Sequence, residues 1–393
     1  MSGSTAWPLP PGSTLGVMGG GQLGRMFVHA AQQLGYGTAV LDPDEASPAG
    51  LVSHVHVRAA YDDRAGLARL AQVAQAITTE FENVPAQALQ ALAAQRPVAP
   101  GHAAVAIAQD RAQEKAHFQR CGVPCAPHAV IASADDLQQV PADLLPGVLK
   151  TARLGYDGKG QARVADRAAL AAAWDELRRV PCVLERLLPL AAECSVLVAR
   201  GADGAMVHLP VQRNLHRGGI LAVTEVGAGV LPEATAQQAI EATRAIAQGL
   251  GYVGVLCVEF FLLQDGALVV NEMAPRPHNS GHWSIDGADV SQFELQVRTL
   301  AGLPLVAPRQ HSHAVMLNLL GELWFARGAQ AQEPPWAEVL ALPGVHLHLY
   351  GKASARPGRK MGHLTVTAAD AAAARATALR ACELLGIEPF REP

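Results

Sequence analysis

Two apolar, β-rich runs flank an Asp-Gly pair near residue 265, and this stretch constrains the fold of the 393-residue chain more tightly than any other. Residues 255–263 read Val-Leu-Cys-Val-Glu-Phe-Phe-Leu-Leu, residues 268–272 read Leu-Val-Val-Asn-Glu, and Gln264-Asp265-Gly266-Ala267 joins them. The pattern specifies an antiparallel hairpin. A two-residue turn at Asp265-Gly266 sets Glu259 directly across from Glu272. Facing side chains in such a pair lie about 5 Å apart, where like charges repel. Both glutamates stand in apolar sequence, so water alone does not compensate them. A hard divalent cation held by carboxylate oxygens does, most naturally Mg²⁺ bridging to a nucleotide phosphate. An exposed polar pair at a sheet edge, or a slipped register, is the competing reading. After Glu272 comes Pro275-Arg276-Pro277-His278-Asn279-Ser280-Gly281-His282-Trp283, a dense polar loop beside the pair and therefore the expected active site.

The chain is long enough for two or three domains with substantial cores. Half of it is apolar and 17% is charged, which fits an ordered globular protein, and a net charge of −4 argues against a general nucleic-acid binder. No apolar run reaches membrane-spanning length. The six cysteines include no C-x-x-C pair and read as scattered apolar residues of a reducing compartment, which points to the cytoplasm. Residues 1–13 are small and proline-rich, and read as a disordered tail rather than a signal peptide.

Near the start, a strand over 14–18 runs into Gly19-Gly20-Gly21-Gln22-Leu23-Gly24-Arg25, then a helix, then a strand over 38–41 ending at Asp42. Alone, this G-x-G-x-x-G pattern predicts a dinucleotide site and a dehydrogenase. Its physical content is narrower: amides at a helix N-terminus hold some phosphate or other anion. A strand over 76–79 delivers Glu80-Phe81-Glu82-Asn83 to the carboxyl end of a parallel sheet, where ligands bind. Glu80 or Glu82 there meets ribose hydroxyls, or both belong to a solvated helix start before Pro85. Residues 102–120 read as one charged helix bearing Arg111 and Lys115.

A second α/β unit starts near Gly122. Its strand over 147–150 ends on Lys150, followed by the glycine-rich loop through Gly155, Gly158 and Gly160 to Gln161. Such a loop brings backbone amides close to phosphates, although it lacks the spacing of a Walker A motif. A helix over 168–179, strands over 182–185, 194–199, 205–211 and 220–226, and a helix over 233–249 lead to the hairpin. Beyond it come a helix over 289–300, strands over 313–320 and 345–350, and an alanine-rich helix over 368–385. His346 and His348 share a face of the 345–350 strand. With no Cys or acid at suitable spacing, they read as ordinary strand residues rather than metal ligands. Residues 352–360 are the most basic stretch, either a phosphate clamp or a solvated loop.

Taken together, these motifs resemble the N5-carboxyaminoimidazole ribonucleotide synthetase family of ATP-grasp enzymes. The carriers are the 19–25 glycine motif, Thr79-Glu80-Phe81-Glu82-Asn83-Val84-Pro85, Gly155-Tyr156-Asp157-Gly158-Lys159-Gly160-Gln161, the stretch from Asn271 to Trp283, and Arg356-Pro357-Gly358-Arg359-Lys360-Met361-Gly362-His363. The likeness spans residues 14–386. Leu154 stands where the family often has glycine, and Arg213 where an acid is common. The resemblance implies an α/β ATP-grasp fold, with a Rossmann-like domain over 14–115, an ATP-grasp domain over 116–305 (glycine-loop subdomain about 122–185) and a small α+β domain over 306–393. It implies that Arg111, Lys150, Gly155, Tyr156, Asp157, Gly158, Lys159, Gly160, Gln161, Glu185, Arg186, Leu187, Leu188, Glu193, His216, Asn271 and Glu272 hold ATP. Mg²⁺ or Mn²⁺ would sit on Glu259 and Glu272. The substrate, 5-aminoimidazole ribonucleotide, would meet Gln22, Leu23, Glu80, Arg276, His278, Asn279, Ser280, Lys352 and Arg359, with Asp157, Arg276, His278 and Lys352 serving the chemistry. The implied reaction is ATP- and bicarbonate-dependent carboxylation of the exocyclic amine through carboxyphosphate, a step of purine synthesis, in a cytoplasmic homodimer with no nucleic-acid or membrane partner. Formate-dependent glycinamide ribonucleotide transformylase and biotin carboxylase share the scaffold and are the nearest alternatives. A dehydrogenase is the alternative outside the class.

Overall fold

The computed structural model describes residues 7–155, 159–326, 328 and 330–390. Among the described residues the strands form three sheets. The first is four-stranded and parallel, in the order Val55–Val57, Gly37–Leu41, Thr14–Met18, Ala76–Thr79. Its apolar strands need cover on both faces. On one face the Gln22–Gln33 helix packs Phe27 and Val28 against Phe293, Val297 and Leu300 of the Gln292–Ala301 helix, which joins this unit to the rest of the molecule. On the other, Leu67 and Leu70 of the Arg64–Val73 helix pack with Leu89 and Leu92.

The second sheet is four-stranded and antiparallel, in the order His128–Ile131, Cys182–Arg186, Gly147–Thr151, Gln161–Val164. Leu170 and Trp174 of the Arg167–Glu176 helix cover it. The third sheet is nine-stranded and contains the hairpin. Its Ile220–Val226 strand pairs with His313–Leu320, which pairs with Lys360–Ala368, so the C-terminal strands extend this sheet. The Glu233–Gly249 helix packs Ile246 and Ala247 into a core with Val196, Val258 and Phe260. No helix among the described residues is long and apolar enough to cross a membrane.

The hairpin pairs Glu259 with Glu272, as expected, but by a different route. The Leu263 amide donates to the Ala267 carbonyl at 2.8 Å, closing a three-residue loop in which Gly266 has φ 85°. Phe260 consequently faces Val270, and a regular ladder would next set Asn271 against Glu259. Asn271 is instead passed over in a bulge, which brings Glu272 to Glu259. The bulge leaves Asn271 and Glu272 lining the same cavity.

Other elements depart from their sequence reading for identifiable reasons. The charged segment 102–120 is two helices, His102–Ala108 and Arg111–Arg120, because Asp110 accepts from the Ala112 and Gln113 amides and starts a new helix. The 205–211 strand ends at His208, and a separate strand, Gln212–Arg217, follows Pro210. The 289–300 helix begins at Gln292, capped by Ser291.

Phe260 anchors the hairpin to the Glu233–Gly249 helix. Phe260→Ala is expected to cost about 3 to 5 kcal/mol in chemical denaturation; a loss under about 1 kcal/mol would show that this core does not hold the hairpin.

Candidate active site

Glu259 is buried and Glu272 half-buried, on adjacent antiparallel strands. Burial pushes the Glu259 carboxyl up, and the nearby Glu272 and Glu193 add to the effect, against the opposing His216. Burial acts the same way on Glu272, but Arg111 and Lys150 outweigh it and hold that carboxyl below its usual range. Arg111 Nη1 lies 2.8 Å from Glu272 Oε2. Although burial disfavours its charge, His216 is raised to about 9 by its hydrogen bond to Glu193 and by Glu259, so it is a cation at neutral pH. Glu259 Oε1 is buried without a hydrogen-bond partner among the described residues, and lies 3.3 Å from His278 Nε2. An oxygen pair with one unpartnered buried acceptor is a donor set that a hard cation satisfies, so these residues fit Mg²⁺ or Mn²⁺.

Deeper in the molecule, Glu185 lies between two ammonium groups: Lys115 Nζ is 3.0 Å from Oε1 and Lys150 Nζ 3.0 Å from Oε2. Burial alone would raise this carboxyl, but Lys150 and Lys115 hold it down to about 2. Lys150 also reaches Asn271 Oδ1 at 3.4 Å. Lys115 is fully buried, and the sequence reading missed it as a site residue because a helix so rich in charge looks solvated. Its neighbour Glu114 was missed for the same reason. Buried beside Arg111 and Glu272, the Glu114 carboxyl accepts from the Met273 amide at 2.7 Å, yet burial drives it up to about 8.

Two cavities meet at Arg111, Glu259 and Glu272. The smaller is lined by Lys150, Lys159, Gln161, Glu193, His216 and Asn271. The larger, ≈ 320 Å³, is lined by Gln22, Leu23, Glu80, Glu82, Gly155, Arg276, His278, Asn279, His282 and Lys360. Most of the expected site residues are thus gathered on two sides of one carboxylate pair. Tyr156, Asp157 and Gly158 lie outside the described residues. Ser280 is fully buried behind the larger cavity, joining Ser195 Oγ at 2.8 Å and His278 Nδ1 at 2.9 Å. Arg186 and Leu187 are exposed and Leu188 half-buried at the end of the strand that carries Glu185, outside both linings. Lys352 and Arg359 are also outside them. Lys352 Nζ donates to the Lys360 carbonyl at 2.6 Å and Arg359 Nη1 to the Ser354 carbonyl at 2.8 Å, so the basic loop is folded upon itself. The cation this loop adds to the larger cavity is Lys360, the last residue of the 352–360 stretch expected either to clamp a phosphate or to be a solvated loop.

The first glycine motif holds an anion of its own chain. The Gly21 and Gly24 amides donate to the two Glu80 oxygens at 2.7 and 2.9 Å, and the Gly20 amide to Asp42 Oδ2 at 2.7 Å. Asp42, the acid a dinucleotide site would aim at a ribose, also accepts from the Tyr61 hydroxyl at 2.6 Å. The dehydrogenase reading thereby loses its physical basis. Glu82, meanwhile, accepts from Arg276 Nε at 2.6 Å, which overrides burial and keeps its carboxyl low.

A cavity lined by Lys150, Lys159 and His216 and a second polar cavity, joined at a carboxylate pair on this three-sheet scaffold, define an ATP-grasp enzyme. Family models bear this out: an ATP-grasp domain matches residues 116–293, a ribonucleotide synthetase preATP-grasp domain matches 13–109, and a phosphoribosylaminoimidazole carboxylase C-terminal domain matches 314–377. N5-carboxyaminoimidazole ribonucleotide synthase of Brucella melitensis is 43% identical over 91% of this chain and 97% of its own. That of Pseudomonas aeruginosa is 42% identical over 92% and 96%. An ADP complex of an N5-carboxyaminoimidazole ribonucleotide synthetase superposes with a TM-score of 0.89 at 37% identity, covering 96% of this chain and 97% of the other. The Aspergillus clavatus synthase in complex with ADP and 5-aminoimidazole ribonucleotide gives 0.86 at 31%, covering 96% and 99%. The chain belongs to the N5-carboxyaminoimidazole ribonucleotide synthase family, and it is an ATP-dependent ligase.

Glu114 yields a pH prediction. Between about 4.5 and 8 the folded protein keeps the Glu114 proton and the unfolded chain releases it, so stability falls as pH rises through that window. In Glu114→Gln the drop in unfolding free energy from pH 5 to pH 8 should shrink by about 1 kcal/mol or more. Urea denaturation at both pH values measures it; an unchanged slope would mean that Glu114 is ionised in the folded state.

Proposed function

We infer that this chain carboxylates the exocyclic amine of 5-aminoimidazole ribonucleotide with ATP and bicarbonate, releasing ADP and phosphate, as a step of purine synthesis. The observation that carries the reading is the meeting of the two cavities at Arg111, Glu259 and Glu272. The smaller cavity, with Lys150, Lys159 and protonated His216, suits the phosphates of ATP. The larger suits the ribonucleotide: Glu80 for ribose hydroxyls, Arg276 and Lys360 for the phosphate. A bicarbonate oxygen attacks the γ-phosphorus, and ADP leaves. The carboxyphosphate formed breaks its C–O bond to give CO₂ and phosphate beside the second cavity. The amine nitrogen then bonds to the CO₂ carbon and releases a proton. Glu259 and Glu272 would hold Mg²⁺, which supplies charge neutralisation for the transferring phosphoryl group.

His278 serves as a donor in this scheme. Burial keeps its ring neutral at pH 7, and the Ser280 amide donates to Nδ1 at 3.3 Å. The ring proton therefore sits on Nε2, which is 3.3 Å from Glu259 Oε1 without forming a hydrogen bond to it, and it can hold a carboxyl or substrate oxygen in the larger cavity. The working protein is a cytoplasmic homodimer divided at about residues 115 and 305. The three family matches support the division, and the family resemblance supports the dimer.

Phosphate release from ATP should require both the ribonucleotide and bicarbonate. Release with formate and glycinamide ribonucleotide instead would transfer the chain to the other ATP-grasp chemistry. Glu272→Gln should lower turnover by roughly 10³-fold with the fold intact, since it relieves a like-charge pair while removing a cation ligand; near-normal turnover at ordinary Mg²⁺ would exclude the pair as the metal site. A Cβ on Gly21 would lie 2.5 Å from Glu80 Oε1. Gly21→Val should accordingly raise KM for the ribonucleotide much more than KM for ATP, and the opposite split would place the wrong ligand against Glu80.

A further inference from the structure

Away from the carboxylate pair, the fold brings together a second set of metal-ligand side chains that the reaction above does not use. Asp286 comes from the short Ser284–Gly287 helix that follows the polar loop, His348 from the Val345–Leu349 strand, and His363 from the neighbouring Lys360–Ala368 strand. His348 faces His363 across the ladder. One carboxylate oxygen and one nitrogen from each ring lie within 4.8 Å of one another. His348 Nε2 is 2.8 Å from Asp286 Oδ2, and the two imidazoles stack with centroids 4.5 Å apart. The sequence dismissed a metal here because no acid stood near His346 and His348, whereas the fold supplies one from 62 positions away.

A second observation points to a ligand. His363 is fully buried, and its Nε2 has no hydrogen-bond partner among the described residues. Its Nδ1 is fixed by the Tyr350 hydroxyl at 3.0 Å. A buried nitrogen left without a partner is costly in a packed interior. With Nδ1–H donated to Tyr350, Nε2 keeps its lone pair, the arrangement in which an outer hydrogen bond orients a metal-bound histidine.

We propose that Asp286, His348 and His363 form a second cation site, specific for a first-row transition metal such as Zn²⁺ and distinct from the Mg²⁺ pair. Two imidazoles and one carboxylate suit such an ion, whereas Mg²⁺ prefers oxygen donors alone. Tetrahedral coordination places ligand atoms roughly 3.3 Å apart at metal–nitrogen distances of about 2.0 Å. A turn of the partly exposed His348 ring closes the present separation, leaving a fourth position for water. His346 Nδ1, 3.7 Å from Asp286 Oδ1, stands at the rim. A bound ion would fasten the two C-terminal strands to the helix that follows the Asn279–Trp283 segment.

The test uses the full-length protein, stripped with chelator, and Zn²⁺ titrated against a chromophoric competitor in the presence of millimolar Mg²⁺ to occupy the carboxylate pair. One equivalent should bind, and His348→Ala and Asp286→Asn should each weaken it by about 10-fold or more. Glu272→Gln should leave this equivalent intact. Co²⁺ in place of Zn²⁺ should give visible absorption bands that are lost in His348→Ala, a reading independent of affinity. The proposal is overturned if the wild type takes up no Zn²⁺, if the two site variants bind it as tightly as the wild type, or if Glu272→Gln abolishes the uptake.

Discussion

Two carboxylates facing each other inside the protein are the constraint that the rest of the site answers. Glu259 and Glu272 would repel strongly in a low dielectric, and the surroundings divide the burden unequally. Arg111 and Lys150 keep Glu272 ionised, while Glu259 is left between neutral His278 and cationic His216 with one oxygen unpartnered. The pair is also the seam between the two cavities. In the proposed reaction, charge developing on a transferring phosphoryl group and the ribonucleotide that receives its product would stay within reach of the same few atoms. A labile intermediate would not then have to cross open solvent between them.

The legible part of the sequence was what short-range chemistry dictates. The 255–272 hairpin, the strand-end position of Lys150 and the parallel opening unit all follow from turn residues, β-branched runs and glycine placement. Even there, the facing glutamates were reached by an inexact route, since a three-residue loop and a bulge at Asn271 offset one another. The illegible part depends on contacts made far along the chain. Glu114 and Lys115 look like surface charges on a polar helix, and only tertiary packing buries them against Met273 and Glu185. The Asp286 partner of His348 was hidden for the same reason.

The glycine motif at residues 19–24 shows how a pattern can be real and its usual ligand wrong. Closely approaching amides at a helix N-terminus do capture negative charge here, but the charge is the side chain of Glu80, delivered by the adjacent parallel strand. That carboxylate is tied from behind and lines the larger cavity in front. The motif has become the mounting for a cavity-lining carboxylate.

The continuity of the nine-stranded sheet sets a limit on how the chain can be taken apart. Residues after about 305 look separable in sequence, yet the His313–Leu320 strand pairs along Ile220–Val226 and buries Val315, Leu317 and Leu319. A chain ended before it would present a bare row of backbone donors and acceptors beside apolar side chains. Such an open edge recruits another edge, from its own kind or any other. The C-terminal region thus also acts as the guard of the central sheet, and this edge of the nucleotide-binding core stays covered only while that guard is in place.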